Sequence, residues 1–322
     1  MATMNAAVVT AFGEPPHYRQ FEVPQPASAQ EIVVDVLAVG LHPRVRSGAA
    51  GAHYTSTGTL PMIPGIDAVG RRPDGRRVYF VAADDVLGTM ADKALAGTRR
   101  SIVLPDEADA AKVAAAMNPA MSSWVALRRR VRLGPGQSVL VLGATGSAGA
   151  IAVQVAKLLG AGRVIGAGRD PGRLRALTSA GADDVVQLTG DSHATGRALA
   201  AAAAESDIVL DYLWGKPAQQ AITALLGARS DRSRALNWIQ IGAVAGPAIE
   251  LPSVALRSAN LHLQGSGQGA VPAGDYLAEL PSLIDEINAG TIAVTVNAVP
   301  LADVEQAWTQ AEVPGERTVL VP

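Results

Sequence analysis

The sequence predicts an α/β protein: a doubly wound parallel sheet set between two stretches of a β-rich domain. Three observations carry this. From residue 137 onward, short apolar segments alternate with helical ones. A glycine-rich turn, Gly143-Ala144-Thr145-Gly146-Ser147-Ala148-Gly149, joins the first of those strands to the first of those helices. The opening hundred residues and the tail are strand-like and rich in turns instead. At 322 residues with 48% hydrophobic side chains, the chain can fill two cores.

Taken in order, residues 32–40 form a largely β-branched run ending at Gly40. Residues 77–81 form another after Pro73-Asp74-Gly75. Prolines at 15, 16, 24, 26, 43, 61 and 64 punctuate this region, and no strong helix pattern precedes residue 106. Asp106 is expected to cap a helix over 108–116, and Pro119 to open a second one reaching about residue 130. The cluster Arg128, Arg129, Arg130 and Arg132 reads as cations at a helix C-terminus, which favour the dipole. It is too small a footprint for a polyanion site. Strands are then predicted at 138–142, 163–167, 184–188, 207–210, 235–241 and 261–264. Helices are predicted at 147–159, 171–180 (capped by Asp170), 195–204 and 217–226. A parallel sheet buries both faces, which accounts for the unbroken Val139-Leu140-Val141-Leu142. The tail adds a helix over 276–288 closed by Gly290, and strands at 295–299 and 318–321. The expected domains are 1–118, 119–266 and a return at 267–322.

Composition excludes several classes. Lys and Arg number 27 against 29 Asp and Glu, a net charge of −2, so the chain lacks the basic excess of a nucleic-acid binder. The mean hydropathy of +0.20 comes from Ala and Gly. No apolar run approaches the roughly 18 residues of a spanning helix. Without cysteine there are no disulfides, thiolate zinc sites, iron–sulfur clusters or Cys nucleophile. The start of the chain has no basic flank or cleavage signal, so a cytoplasmic location is expected.

The glycine-rich turn is the strongest chemical signal. It follows a strand and opens a helix, the context a dinucleotide site requires. Gly143 turns the chain out of the strand, Gly146 lets a pyrophosphate approach the backbone, and Gly149 lets helix and sheet pack closely. The helix start offers free N–H groups and a positive dipole end to phosphate. The second strand ends at Gly168, and Arg169 follows where an acidic residue would hold the ribose 2′-OH of NAD. Arg173 lies one turn further. Guanidinium groups there suit a 2′-phosphate, which points to NADP(H). Asp170, before Pro171, fits a helix cap better than a ribose ligand.

The sequence resembles the medium-chain dehydrogenase/reductase superfamily. The residues that carry the resemblance are the opening Met4-Asn5-Ala6-Ala7-Val8-Val9 and Glu22-Val23-Pro24, then Leu41-His42-Pro43 through Arg46-Ser47-Gly48, and Pro64-Gly65-Ile66-Asp67-Ala68-Val69-Gly70. The glycine-rich turn, Gln154-Val155-Ala156-Lys157 and Ala180-Gly181-Ala182-Asp183 continue it. The fold this implies is a Rossmann domain inserted in a GroES-like catalytic domain. Ile66 stands where the zinc enzymes carry a ligating His, and no Cys ligand exists. The chain is therefore similar to the zinc-independent quinone oxidoreductase and enone reductase branch, and no metal site is expected.

That resemblance implies hydride transfer from NADPH to a quinone or an α,β-unsaturated carbonyl, with a proton donor beside the developing oxyanion. Tyr54 is the leading candidate, close to where a tyrosine faces the cleft in bacterial quinone reductases. His53 and His42 are weaker candidates, expected as exposed or hydrogen-bonded loop residues. Asn118 and Ser122 stand where relatives begin a helix beside the nicotinamide. Gly242 and Ala243 after the fifth strand, and Gly265 and Ser266 after the sixth, are expected to meet the nicotinamide amide. Asp211, Tyr212 and Trp214 fall near the cofactor in this layout. The alternative is an NADPH-binding redox sensor or scaffold with little turnover. Reduction of an enoyl thioester lacks an obvious cationic groove. A homodimer formed through the sixth strand is expected, with a small-molecule substrate and neither nucleic acid nor membrane as partner.

Overall fold

The computed structural model describes residues 2–311, 313 and 315–322. The chain divides into two compact units, residues 1–118 with 280–322, and residues 119–279.

In the first unit, β1 (Thr3–Val8) pairs antiparallel with β2 (His17–Glu22). The long strand β3 (Glu31–Gly40) is followed by α1 (Pro43–Ala49), a short helix that the sequence did not announce. Seven residues are too few for a visible apolar period, although Pro43 is well placed in its first turn. Next come β4 (Asp67–Arg71), β5 (Arg77–Val81), β6 (Lys93–Gly97) and β7 (Ser101–Val103). Strand β3 pairs antiparallel with β4 and β6, β4 with β5, and β5 with β7.

Helix α2 (Ala110–Val125) corrects two expectations. Asp109, not Asp106, caps it, accepting bonds from the amides of Ala111 and Lys112 at 2.9 and 3.1 Å. Pro119 lies inside α2 instead of opening a second helix, and the helix runs on into a π-helical turn at Ala126–Arg130. Proline there costs a backbone hydrogen bond. Val113, Ala116, Met117 and Ala120 form a continuous buried stripe across it, and that burial offsets the loss.

The second unit holds the predicted alternation: β8 (Ser138–Leu142), α3 (Ser147–Leu158), β9 (Arg163–Gly168), α4 (Pro171–Ser179), β10 (Asp184–Gln187), α5 (Ser192–Ala203), β11 (Ile208–Asp211), α6 (Gly215–Ala228), β12 (Leu236–Gln240), α7 (Ser253–Arg257) and β13 (Leu261–Gly265). All six strands are parallel, in the order β10-β9-β8-β11-β12-β13. The order reverses between β8 and β11, which opens a crevice at their carboxyl ends. Leu140, Leu142, Ile165, Val209, Leu225 and Trp238 anchor one core face of this Rossmann sheet.

Helix α8 (Ala273–Asn288) follows. The sheet-bearing unit reaches Glu279 within it, past residue 266. There the buried Glu279 carboxylate is held by Trp124 Nε1 at 3.0 Å and by Arg128 and Arg129 at 2.5 Å each. The chain then returns to the first unit as β14 (Thr295–Pro300), α9 (Val304–Thr309) and β15 (Glu316–Val321). These complete a seven-stranded sheet, β14-β15-β3-β4-β5-β7 with β6 on β3. Its pairings are antiparallel except β14 with β15. No helix among the described residues is long and apolar enough to cross a membrane.

Candidate active site

The carboxyl ends of β8 and β9 carry a cradle built from backbone. Gly143 has φ +85°, a left-handed conformation that favours glycine, and its N–H bonds Ala167 O at 2.9 Å, as does that of Ala144. A Cβ on Gly149 would lie 2.3 Å from Gly143 O, so the first turn of α3 passes directly under the glycine-rich turn at the buried Gly149. A Cβ on Gly168 would meet the Thr145 side chain at 2.4 Å. Gly146 is exposed and has only Gly143 O near its would-be Cβ, at 3.3 Å. It is also the N-cap of α3 and has no side chain to cap it, which leaves the first amides of that helix, at Ser147 and Ala148, open to an anion.

At the end of β9, Asp170 Oδ1 accepts the Arg173 amide at 2.9 Å. That bond foremost, with others from the α4 start and the nearby arginines, holds its carboxyl below the usual range. Arg173 folds back and donates from Nη1 to Thr145 O at 2.8 Å, while no described residue bonds its buried Nε. Arg169 is exposed beside it. The structure thus brings residues 143–149, Gly168, Arg169 and Arg173 together at one corner of the sheet.

The other side of the crevice carries candidates named from the sequence, joined by hydrogen bonds that the sequence did not foretell. Ser122 Oγ donates to Pro119 O at 2.7 Å and so accepts from Tyr212 OH at 2.9 Å. Burial pushes the Tyr212 hydroxyl up to about 12. Asp211 is fully buried and accepts from the amides of Leu213 and Trp214 and from Trp238 Nε1, at 2.8, 2.9 and 3.0 Å. Its pKa is raised by burial, which outweighs those bonds. They pin Trp214 at φ +52°, a conformation that costs a non-glycine residue energy. Gly242 is required here, since a Cβ would lie 2.7 Å from Tyr212 O. Gly265 is not, because a Cβ there would meet open space. Ala243 is exposed, and Ser266 is buried with its N–H on Gln240 O.

Two predicted site residues belong to the other unit. Asn118 is half-buried inside α2. Tyr54 is 71% exposed, on the loop after α1, with its ring centroid 4.2 Å from that of His53. That loop is pinned by Thr55, whose Oγ1 accepts from Arg44 at 2.6 Å and donates to Asp85 at 2.5 Å. Desolvation, then the Arg44 charge, hold His53 down to about 4, partly opposed by Asp85. His42 lies in the connection between β3 and α1, as a hydrogen-bonded loop residue, and it is buried. It is 1% exposed and pairs through Nε2 with the buried Asp67 at 3.4 Å. Among the described residues no group of three His, Asp or Glu side chains is placed to hold a metal ion.

Residues 148–279 match the family described as zinc-binding dehydrogenase. A protein of Emericella nidulans described as a probable NADPH-dependent quinone reductase is 30% identical, over 99% of this chain and 100% of its own length. The quinone oxidoreductase of Homo sapiens is 32% identical over 49% of this chain and 50% of its own. Among solved structures, a mycobacterial quinone oxidoreductase superposes with a TM-score of 0.83 at 22% identity, covering 99% of this chain and 100% of that one. A mycobacterial structure complexed with NADPH superposes with a TM-score of 0.79 at 23% identity, with 99% and 100% covered.

Proposed function

The chain belongs to the medium-chain dehydrogenase/reductase superfamily, in its zinc-independent, quinone-oxidoreductase-like branch, and on that premise we propose that it is an NADPH-dependent reductase of quinones or α,β-unsaturated carbonyls. The observation that carries this reading is the glycine cradle with Arg173 folded across it. The turn at 143–149 accepts a pyrophosphate because Gly146 is open and the first amides of α3 are uncapped. Arg169 and Arg173 hold the 2′-phosphate, and the unpartnered Arg173 Nε marks unspent donor capacity at that corner. Asp170 is committed to its cap, so it does not compete for a ribose hydroxyl. Asn118, Ser122, Gly242, Ala243, Gly265 and Ser266 are assigned to the nicotinamide end.

NADPH, when bound, supplies the hydride. The chain itself orients the ring and stabilises the oxyanion that develops on the acceptor. Tyr54 is assigned to donate its O–H to that oxyanion, from a loop held by Thr55, Asp85 and Arg44. Its side chain is exposed on that loop. A homodimer through β13, the outer strand of the six-stranded sheet, and a cytoplasmic location belong to the same reading.

The test is loss of NADPH absorbance at 340 nm with a panel of p-quinones and enones. Turnover with at least one acceptor is expected. Tight NADPH binding without turnover of any acceptor would leave a sensor or scaffold in place of an enzyme.

A further inference from the structure

Two residues flank the crevice of the six-stranded sheet, one after each strand where the order reverses. Gly143 follows β8 and Tyr212 follows β11, and the last residues of those strands, Leu142 and Asp211, are paired in register. A Cβ on Gly143 would lie 3.3 Å from the Tyr212 Cβ and 3.0 Å from Leu213 Cδ2. The Tyr212 side chain therefore starts against the glycine-rich turn. Its hydroxyl ends on Ser122 Oγ, 2.9 Å away. One ring thus spans from the phosphate turn to helix α2. Tyr212 and Ser122 are half-buried, whereas the strand ends Leu142 and Asp211 are sealed at 1% and 0% exposure.

The backbone holds this ring in place. Tyr212 N–H bonds Leu142 O at 3.1 Å. Its carbonyl packs so close to Gly242 that a Cβ there would lie 2.7 Å from it. The strained Trp214, at φ +52°, follows two residues on, and the buried Asp211 carboxylate fixes that turn through the amides of Leu213 and Trp214. Strain kept in this way marks a conformation that its surroundings over-determine.

The same unit sets the direction of the coenzyme. Arg169 and Arg173 stand at the end of β9, on one side of β8, and the pyrophosphate turn stands at the end of β8 itself. A dinucleotide laid across this crevice runs its nicotinamide half to the other side of β8, over the end of β11, where Tyr212 stands. Ser122 has one polarity there. Its hydrogen goes to Pro119 O at 2.7 Å and Tyr212 donates to it, so its remaining lone pair can only accept.

We infer that Tyr212 is a positioning residue for the nicotinamide riboside half of the coenzyme. Its ring is the wall on which that half rests, and its hydroxyl fixes Ser122 Oγ as an acceptor for a hydrogen-bond donor of that half. This rests on the NADPH reading above and names a residue that places the nicotinamide within it. The phosphate end is held by amides and guanidinium groups, so only ligands that carry the nicotinamide should feel the loss of Tyr212.

Isothermal titration with NADPH and with adenosine 2′,5′-bisphosphate, which has the 2′-phosphate but no nicotinamide, tests this. Y212A is expected to bind NADPH at least about fivefold more weakly and the bisphosphate within about twofold of wild type. A smaller loss for NADPH, or a loss shared equally by both ligands, overturns the assignment. Y212F keeps the ring and removes the hydroxyl. With a p-quinone acceptor its kcat should fall about tenfold, with KM for NADPH changed less than about threefold. Y212F/S122A should then be no slower than S122A, because the two hydroxyls act as one unit. An unchanged kcat in Y212F, or losses that multiply in the double variant, overturns the role of the hydroxyl. If Y212A does not fold, Y212F and S122A decide by these kinetics. A wild-type protein that binds NADPH without turnover overturns the reductase reading and leaves the titration to decide this one. Wild-type turnover beside a Y212A that binds both ligands normally overturns this assignment alone.

Discussion

The two units make their candidate chemistry from different materials. In the sheet-bearing unit the site is backbone: glycines where a Cβ would collide, open amides at the start of α3, and one arginine laid back on Thr145 O. In the β-rich unit it is side chains brought from distant points of the sequence, namely Arg44, Thr55 and Asp85. Backbone sites tolerate almost no change in residue size. Side-chain sites tolerate changes of size better than changes of hydrogen bonding. Substitutions separate the two.

The largest effect is expected at Gly149. In Gly149→Val the added Cβ lies 2.3 Å from Gly143 O, backbone that cannot swing aside. NADPH affinity should fall at least about 100-fold and the melting temperature should drop, read by calorimetry and thermal unfolding. Retained affinity would show that the turn does not depend on the close approach at its base.

Arg173→Ala comes next. Losing a charge-assisted bond to the 2′-phosphate should weaken NADPH about 10- to 100-fold and leave NADH unchanged. Equal losses for both coenzymes would mean that Arg173 only braces Thr145.

The backbone site was legible because its constraints are local. The spacing of Gly143, Gly146 and Gly149 and the strand–turn–helix context lie within one short segment, and Asp170 before Pro171 announced its own cap. The parallel, doubly wound sheet followed from the alternation of apolar and helical segments. The side-chain clusters were not legible in this way. His42, Asp67 and Tyr79 meet only because β3, β4 and β5 pair, and nothing in their spacing foretells it. The Ser122–Tyr212 bond joins residues 90 apart, and the strain at Trp214 depends on buried Asp211. Pro119 misled for a related reason, since local propensity favours a helix start while tertiary burial carried the helix through.

Tyr54→Phe should give a smaller effect, on the side-chain half of the comparison. It removes one hydrogen-bond donor from an exposed loop and should lower kcat about tenfold with little change in stability. Steady-state kinetics with a p-quinone would show it, and an unchanged kcat would remove Tyr54 from the reaction.

The smallest effect is expected from pH at the Tyr54 loop. His53 is held to about 4 in the folded chain against 6.5 ordinarily, so between these values the unfolded chain binds more protons. Its contribution to stability is therefore lost as pH falls from about 6.5 to about 4. His53→Gln should flatten that part of the stability–pH curve, measured by urea unfolding. An unchanged curve would show that the Thr55 anchor is indifferent to this ring's charge.

The central claim is that the glycine cradle and its arginines select the phosphorylated coenzyme. Isothermal titration of the wild-type protein with NADPH and with NADH tests it most directly. The account predicts NADPH binding at least about tenfold tighter, a difference of about 1.4 kcal/mol. Equal or tighter NADH binding, or no binding of either, would contradict it.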